Sequence, residues 1–233
     1  MTRDKGVFVK TGNVQAFAQV AKDLMEVTAG VPGMGLVYGK RGLGKTRTAL
    51  WYTAQNNGKT VYLRAKRKWT AMWMLEELAI ELVLTPTRRI QTLFSDISAS
   101  LLLNPRLILI DETDQIAPDV LETIRDLYDE CQGSAPMILI GMDGIARKLA
   151  RFAALYDRFL HVLEFRSLTD DDIRLAAQGL LGVKLADDVI RHVRGLTDGN
   201  FRKSIVVMKG LEKLAITNGA KQVTMTEVGQ WTK

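Results

Sequence analysis

Cysteine and histidine are nearly absent from this chain, with one cysteine, Cys131, and two histidines, His161 and His192, in 233 residues. A lone cysteine cannot close a disulfide within the chain. The histidines lie far apart in sequence without cysteine neighbours, which argues against a structural zinc site. Long apolar runs are missing as well: a bilayer span needs roughly 20 apolar residues, and Asn104-Pro105-Arg106 interrupts the longest candidate. Met1-Thr2-Arg3-Asp4-Lys5 has no apolar signal core, so a cytoplasmic protein with no membrane contact is expected. There are no internal repeats and no low-complexity linker. Acidic residues are the scarcer charged class, 26 Asp and Glu against 32 Lys and Arg, and the net charge of +6 favours a polyanionic partner. At 47% hydrophobic and 25% charged residues, the composition is that of a globular chain with room for one α/β domain and a small appendage.

Against that background one stretch stands out. Gly39-Lys40-Arg41-Gly42-Leu43-Gly44-Lys45-Thr46 is a complete G-x-x-x-x-G-K-[ST] phosphate-binding loop, with Leu36-Val37-Tyr38 before it and a helix-compatible run from about Lys45 after it. Glycines let the backbone turn so that successive N–H groups aim at phosphate oxygens, and the following helix adds its positive end. Residues 39–47, Arg47 included, are therefore the candidate ATP-binding set. Within it Lys45 reaches the β- and γ-phosphates and the Thr46 hydroxyl holds Mg²⁺. A second motif completes the chemistry. Leu107-Ile108-Leu109-Ile110 reads as a buried central strand delivering Asp111 and Glu112 to its carboxyl edge, with Asp111 as metal ligand and Glu112 orienting the attacking water.

The remaining pattern fills in a parallel α/β domain. A helix is expected over 13–27, leading into a loop over 28–33; strands over 60–63, 137–140 and 162–165; and helices over 71–84, from Ile90 to Leu101, from Pro118 to Cys131, and around Arg147, Lys148 and Arg151. The inward spacing of Cys131 reads as core. Arg64, Lys66, Arg67 and Lys68 place four cations in five residues beside the second strand, and Trp69 closes the run. Trp69 could stack on a base, though a large aromatic opening an apolar helix favours the core. Beyond the last strand, strand-like runs largely disappear. Helices over 170–180, 187–194 and 200–217 and one from Thr226 predict a helical lid, with a nucleotide-binding domain over 1–166 and the lid over 167–233.

In the order of these motifs the chain resembles the AAA+ ATPases, within them the transposition regulators of the MuB, TnsC and IstB type and most nearly the MuB ATPase domain. Leu78-Ala79-Ile80-Glu81-Leu82, Arg88-Arg89, Ile110-Asp111-Glu112-Thr113-Asp114 and Phe152-Ala153-Ala154-Leu155-Tyr156-Asp157-Arg158 carry the likeness beyond the two nucleotide motifs. The resemblance implies that Arg158 is an arginine finger for a neighbouring subunit. It also implies that Arg202, in Gly199-Asn200-Phe201-Arg202, senses nucleotide from the start of a lid helix. It further implies an oligomer, ring or filament, assembled on duplex DNA through Arg64, Lys66, Arg67 and Lys68, and a transposase or similar recombinase as client. Two features depart from that type. Met142 stands where a polar sensor normally follows the fourth strand, so slow hydrolysis is expected. The roughly 30 residues before the phosphate loop leave no room for the helix-turn-helix module of MuB, so DNA contact is expected from the ATPase domain itself. A helicase loader or replication initiator, a small-molecule P-loop kinase and a non-hydrolysing scaffold remain open as alternatives.

Overall fold

Apolar strand-length runs separated by amphipathic stretches cannot pair through tight hairpins, and they join instead by helical crossovers into a parallel sheet. The computed structural model describes residues 8–27 and 31–231. Met1–Lys5, and residues 28–30 of the loop expected over 28–33, lie outside the described residues. The chain runs α1 (Gly12–Met25), β1 (Met34–Tyr38), α2 (Lys45–Gln55), β2 (Thr60–Arg64), α3 (Ala71–Glu81), α4 (Ile90–Leu103) and β3 (Leu107–Asp111), then a 3₁₀ turn over Thr113–Gln115. It continues through α5 (Pro118–Glu130), β4 (Met137–Ile140), α6 (Ile145–Leu149), α7 (Ala153–Tyr156) and β5 (Phe159–Glu164). The remaining elements are α8 (Asp170–Leu180), β6 (Lys184–Leu185), α9 (Asp187–Thr197), α10 (Phe201–Thr217), β7 (Gln222–Val223) and α11 (Met225–Trp231). They form two compact units. One comprises Ala16–Lys40 and Lys45–Glu164; the other gathers the residues up to Gln15, Arg41–Gly44 and the chain from Phe165 onward.

The first unit is a five-stranded parallel sheet in the order β2-β3-β4-β1-β5. β1, β3 and β4 are buried along their length apart from Tyr38, as befits strands covered on both faces. On one face Leu36, Ile108, Ile110 and Leu139 pack with Leu75, Leu78, Leu93, Ile97, Leu121 and Ile124 from α3, α4 and α5. On the other, Gly35 lets α1 come close: a Cβ there would lie 3.0 Å from Leu24 Cδ1 and 3.5 Å from Val20 Cγ1. Cys131 is fully buried in the core, and burial pushes its thiol up to about 11. Because β4 lies between β1 and β3, the turn after β4 falls between Lys40, which follows β1, and Asp111, which ends β3.

Several elements differ from their expected spans. β5 starts at Phe159 rather than 162, because it is an edge strand whose residues alternate between half-buried and exposed, so its first half does not read as an apolar run. α3 stops at Glu81, where Val83 takes a left-handed φ of 62° and Leu84 N–H reaches back to Ala79 O at 2.8 Å. The single helix expected around Arg147–Arg151 is two short ones, α6 and α7.

In the second unit α8 opens with a reciprocal capping box, Thr169 accepting from Asp172 N–H while the Asp172 carboxylate accepts from Thr169 N–H. Ile173, Val189, Ile190, Val193, Met208 and Leu211 form its core. The helical tail also contains a two-residue parallel ladder, with Lys184 opposite Gln222 and Leu185 opposite Val223. Two-residue strands carry too little periodicity to be seen in sequence.

Candidate nucleotide site

The phosphate motif has the backbone its glycines were expected to provide. Gly39, Gly42 and Gly44 have φ of 146°, 87° and 99°, and α2 starts at once with Lys45. The first turn of α2 holds no acidic residue, so its N–H groups and the Lys45 ammonium put positive charge at the head of the helix, where an anion is favoured. Lys45 is buried. Its Nζ donates to Gly39 O at 2.5 Å and Lys40 O at 3.1 Å, so the ammonium lies folded back along the loop. Burial pulls its pKa below the ordinary value, opposed by the nearby charges of Asp111, Asp143 and Asp114. A lysine so placed meets a polyphosphate as a compensating charge, which is the observation that fits this loop to ATP.

Asp111 ends β3 and is 3% exposed. One carboxylate oxygen accepts from Glu112 N–H at 2.8 Å and the other from the Tyr62 hydroxyl at 3.0 Å. Burial and the Asp111 charge push the Tyr62 phenol upward, so Tyr62 stays a donor. With the Thr46 hydroxyl, Asp111 offers the oxygen donors that suit Mg²⁺, which takes one or two protein ligands and completes its shell with phosphate and water. Glu112 leaves the strand in a left-handed conformation, φ 59°, a strained state for a residue with a side chain. Its Oε1 accepts from Arg64 Nη2 at 2.5 Å and Nε at 3.2 Å, and its Oε2 from Gln115 Nε2 at 2.9 Å.

At Met142 the structure engages the backbone rather than the side chain. Met142 N–H donates to Asp114 Oδ1 at 3.1 Å, and Lys148 Nζ ties the same turn down through Asp114 O at 3.0 Å and Ile116 O at 2.6 Å. Asp114, Gln115 and Tyr62 were not singled out in sequence. Tyr62 was findable once strand neighbours were known, because β2 pairs with β3 from Thr60 opposite Leu107 to Arg64 opposite Asp111.

A model of the AAA domain matches residues 29–149, more than half of the chain and the whole span from the phosphate loop past β4. The chain belongs to the AAA-domain family. Among curated proteins, a potential ATP-binding protein of Staphylococcus aureus is 27% identical over 98% of this chain and 95% of its own length. Among solved structures, Cdc6p of Pyrobaculum aerophilum matches with a TM-score of 0.70 at 18% identity, covering 99% of this chain and 67% of that one. The ORC1 protein of Aeropyrum pernix, solved with DNA, gives 0.65 at 16% over 99% and 66%. The RuvB branch-migration motor of Thermotoga maritima gives 0.64 at 20% over 96% and 69%. At these identities the structural matches establish the AAA+ architecture of the domain.

The other candidate residues are placed as follows. Arg158 grips Asp129 with two hydrogen bonds, Nε to Oδ1 at 3.0 Å and Nη2 to Oδ2 at 2.9 Å, at a partly exposed position. Arg202 is exposed, and its backbone N–H donates to Gly42 O at 3.0 Å. Of the four cations beside β2, Arg64 is paired with Glu112 and Lys66 with Glu77, Lys66 also lying 4.7 Å from the centre of the Trp73 ring. Arg67 and Lys68 are exposed and make no ion pair among the described residues. Trp69 is 3% exposed and belongs to the core. Among the described residues no helix is long and apolar enough to cross a membrane.

Proposed function

We propose that this AAA domain is an ATP-controlled, largely sequence-independent DNA-binding ATPase whose subunits assemble on duplex DNA and act on a nucleoprotein client. The observation that carries the reading is the buried, folded-back Lys45 just after the positive-φ glycines at the head of an acid-free helix, with Asp111 ending the strand two places away in the sheet and Glu112 next to it. Mg²⁺, when bound, would supply positive charge that offsets the phosphate oxygens. In this reading Lys45 binds the phosphates, Asp111 and Thr46 would hold the metal, and Glu112 orients and polarises water. Arg158 serves a neighbouring subunit, and Arg202 reports the nucleotide state.

The client has two readings. The resemblance in motif order supports target-DNA selection for, or activation of, a transposase. The Cdc6p and ORC1 neighbours, the latter solved in complex with DNA, favour a replication-initiator or helicase-loader role. Both need hydrolysis coupled to DNA. Phosphate release from ATP and Mg²⁺, with and without duplex DNA, tests the shared core: stimulation by DNA of any sequence is expected, and turnover that ignores DNA but needs a small-molecule acceptor would make the protein a kinase instead.

A further inference from the structure

The outer turn of the phosphate loop, Arg41–Gly44, belongs to the same compact unit as α10. Two of its carbonyls are engaged from the start of that helix. Asn200 Nδ2 donates to Arg41 O at 2.7 Å, and Arg202 N–H donates to Gly42 O at 3.0 Å. The other atom of the same amide, Asn200 Oδ1, accepts from Lys203 N–H at 3.2 Å and so caps α10. The approach is close enough to dictate sequence: a Cβ on Gly42 would lie 2.5 Å from Asn200 Oδ1 and 2.7 Å from Nδ2, and its φ of 87° already disfavours any side chain. Gly42 is thus required twice, by its turn and by the amide packed on it.

A trans peptide unit is planar, so its C=O and the next residue's N–H point in opposite directions. Holding Arg41 O against Asn200 therefore turns Gly42 N–H away from that side chain, and holding Gly42 O against Arg202 N–H does the same for Leu43 N–H. We propose that Asn200 is a positioning residue for triphosphate binding, clamping the Arg41 peptide beside the Gly42 peptide that Arg202 N–H holds, so that the amide donors of the loop are preset for phosphate. This rests on the reading of the loop as a nucleotide site. A loop without the clamp must order itself on binding, which costs conformational entropy, so losing one clamped peptide weakens affinity about tenfold.

The competing account is that Asn200 merely caps α10. Asn, Asp and Ser cap helices about equally well, which separates the two roles. Asn200→Asp keeps the cap but has no donor for Arg41 O; Asn200→Ser keeps the cap without a charge and is too short to reach it. Binding of a non-hydrolysable ATP analogue with Mg²⁺ is measured by calorimetry alongside thermal unfolding of each variant without nucleotide, with wild type and Lys45→Ala as references. Expected are unfolding temperatures close to wild type and affinity about tenfold weaker in both variants. Wild-type affinity in both overturns the proposal. Weakening in Asn200→Asp alone would be charge repulsion and also overturns it, as would affinity losses that track losses of unliganded stability. A wild-type protein that itself fails to bind, equal to Lys45→Ala, sinks the nucleotide reading first, so the two failures are distinguishable.

Discussion

Glu112 shows how much a single residue's surroundings decide. Its carboxylate is engaged on both oxygens, by Arg64 and by Gln115, from a left-handed backbone that ends β3. Removing its charge leaves Lys45, Thr46 and Asp111 untouched. Glu112→Gln is therefore expected to keep nucleotide affinity while phosphate release falls by about 10²–10⁴-fold, the usual span for loss of a catalytic base. Steady-state turnover and calorimetric binding on one preparation check it, and wild-type turnover would remove Glu112 from the mechanism. The place of Glu112 at the carboxyl edge of β3 was legible in sequence from the apolar run before it. Its partners were not, because Arg64 lies on the neighbouring strand and becomes its neighbour only through β2–β3 pairing.

At the level of elements, the end of α3 and the loop after β2 invite opposite expectations. Val83 holds a left-handed φ of 62° at 88% exposure, where a β-branched side chain contributes little packing and opposes its backbone. Glycine is the residue that such a helix end favours. Val83→Gly is expected to stabilise the fold by about 1 kcal/mol, the net of the left-handed penalty and the lost chain entropy. For a chain of this size that raises the unfolding midpoint by roughly 2–4 °C; a lowered midpoint would assign Val83 a packing role. In the loop after β2, Lys66 is occupied by Glu77 and Arg64 by Glu112, which leaves Arg67 and Lys68 as the unpaired cations of the proposed DNA contact. Replacing both with Ala should make log K against log salt shallower by about 1.8 for each bound subunit, at about 0.9 per phosphate contact. Affinity for every duplex sequence should fall alike. Titration of labelled duplex at several salt concentrations decides it, and an unchanged slope would move the contact elsewhere.

On the scale of the proposed assembly, Arg158 is the residue the reading assigns to the space between subunits. Within one chain it is held by Asp129 in a partly exposed pair, and pairs of that kind are worth about 0–1 kcal/mol. Releasing the guanidinium to serve a neighbour's phosphate is thus cheap. Arg158→Ala and Lys45→Ala proteins should each be inactive alone, whereas a mixture forms some interfaces with an intact phosphate loop facing an intact arginine and recovers part of the turnover. Co-assembly without recovery would confine Arg158 to its own subunit. Removing Asp129 instead, by Asp129→Ala, should leave Arg158 available and the mixture's recovery undiminished.

The sequence by itself determined the phosphate loop, the carboxylate pair at the end of β3, the buried strands and most helices, because each is encoded in a periodicity or spacing shorter than one element. It also placed Cys131 in the core. The tertiary structure decided what those elements meet. Strand order put β4 between β1 and β3 and so set Asp114 against the backbone of Met142. Pairing across the sheet gave Arg64 to Glu112, and the packing of helices gave Lys66 to Glu77 and Asp129 to Arg158. It also decided the weakly patterned pieces, the edge strand β5, the break between α6 and α7 and the β6–β7 ladder. The physical reason is range: periodicity reports which face of an element is apolar, while a charged side chain's partner depends on which element lies opposite, and that is fixed only when the whole chain has packed.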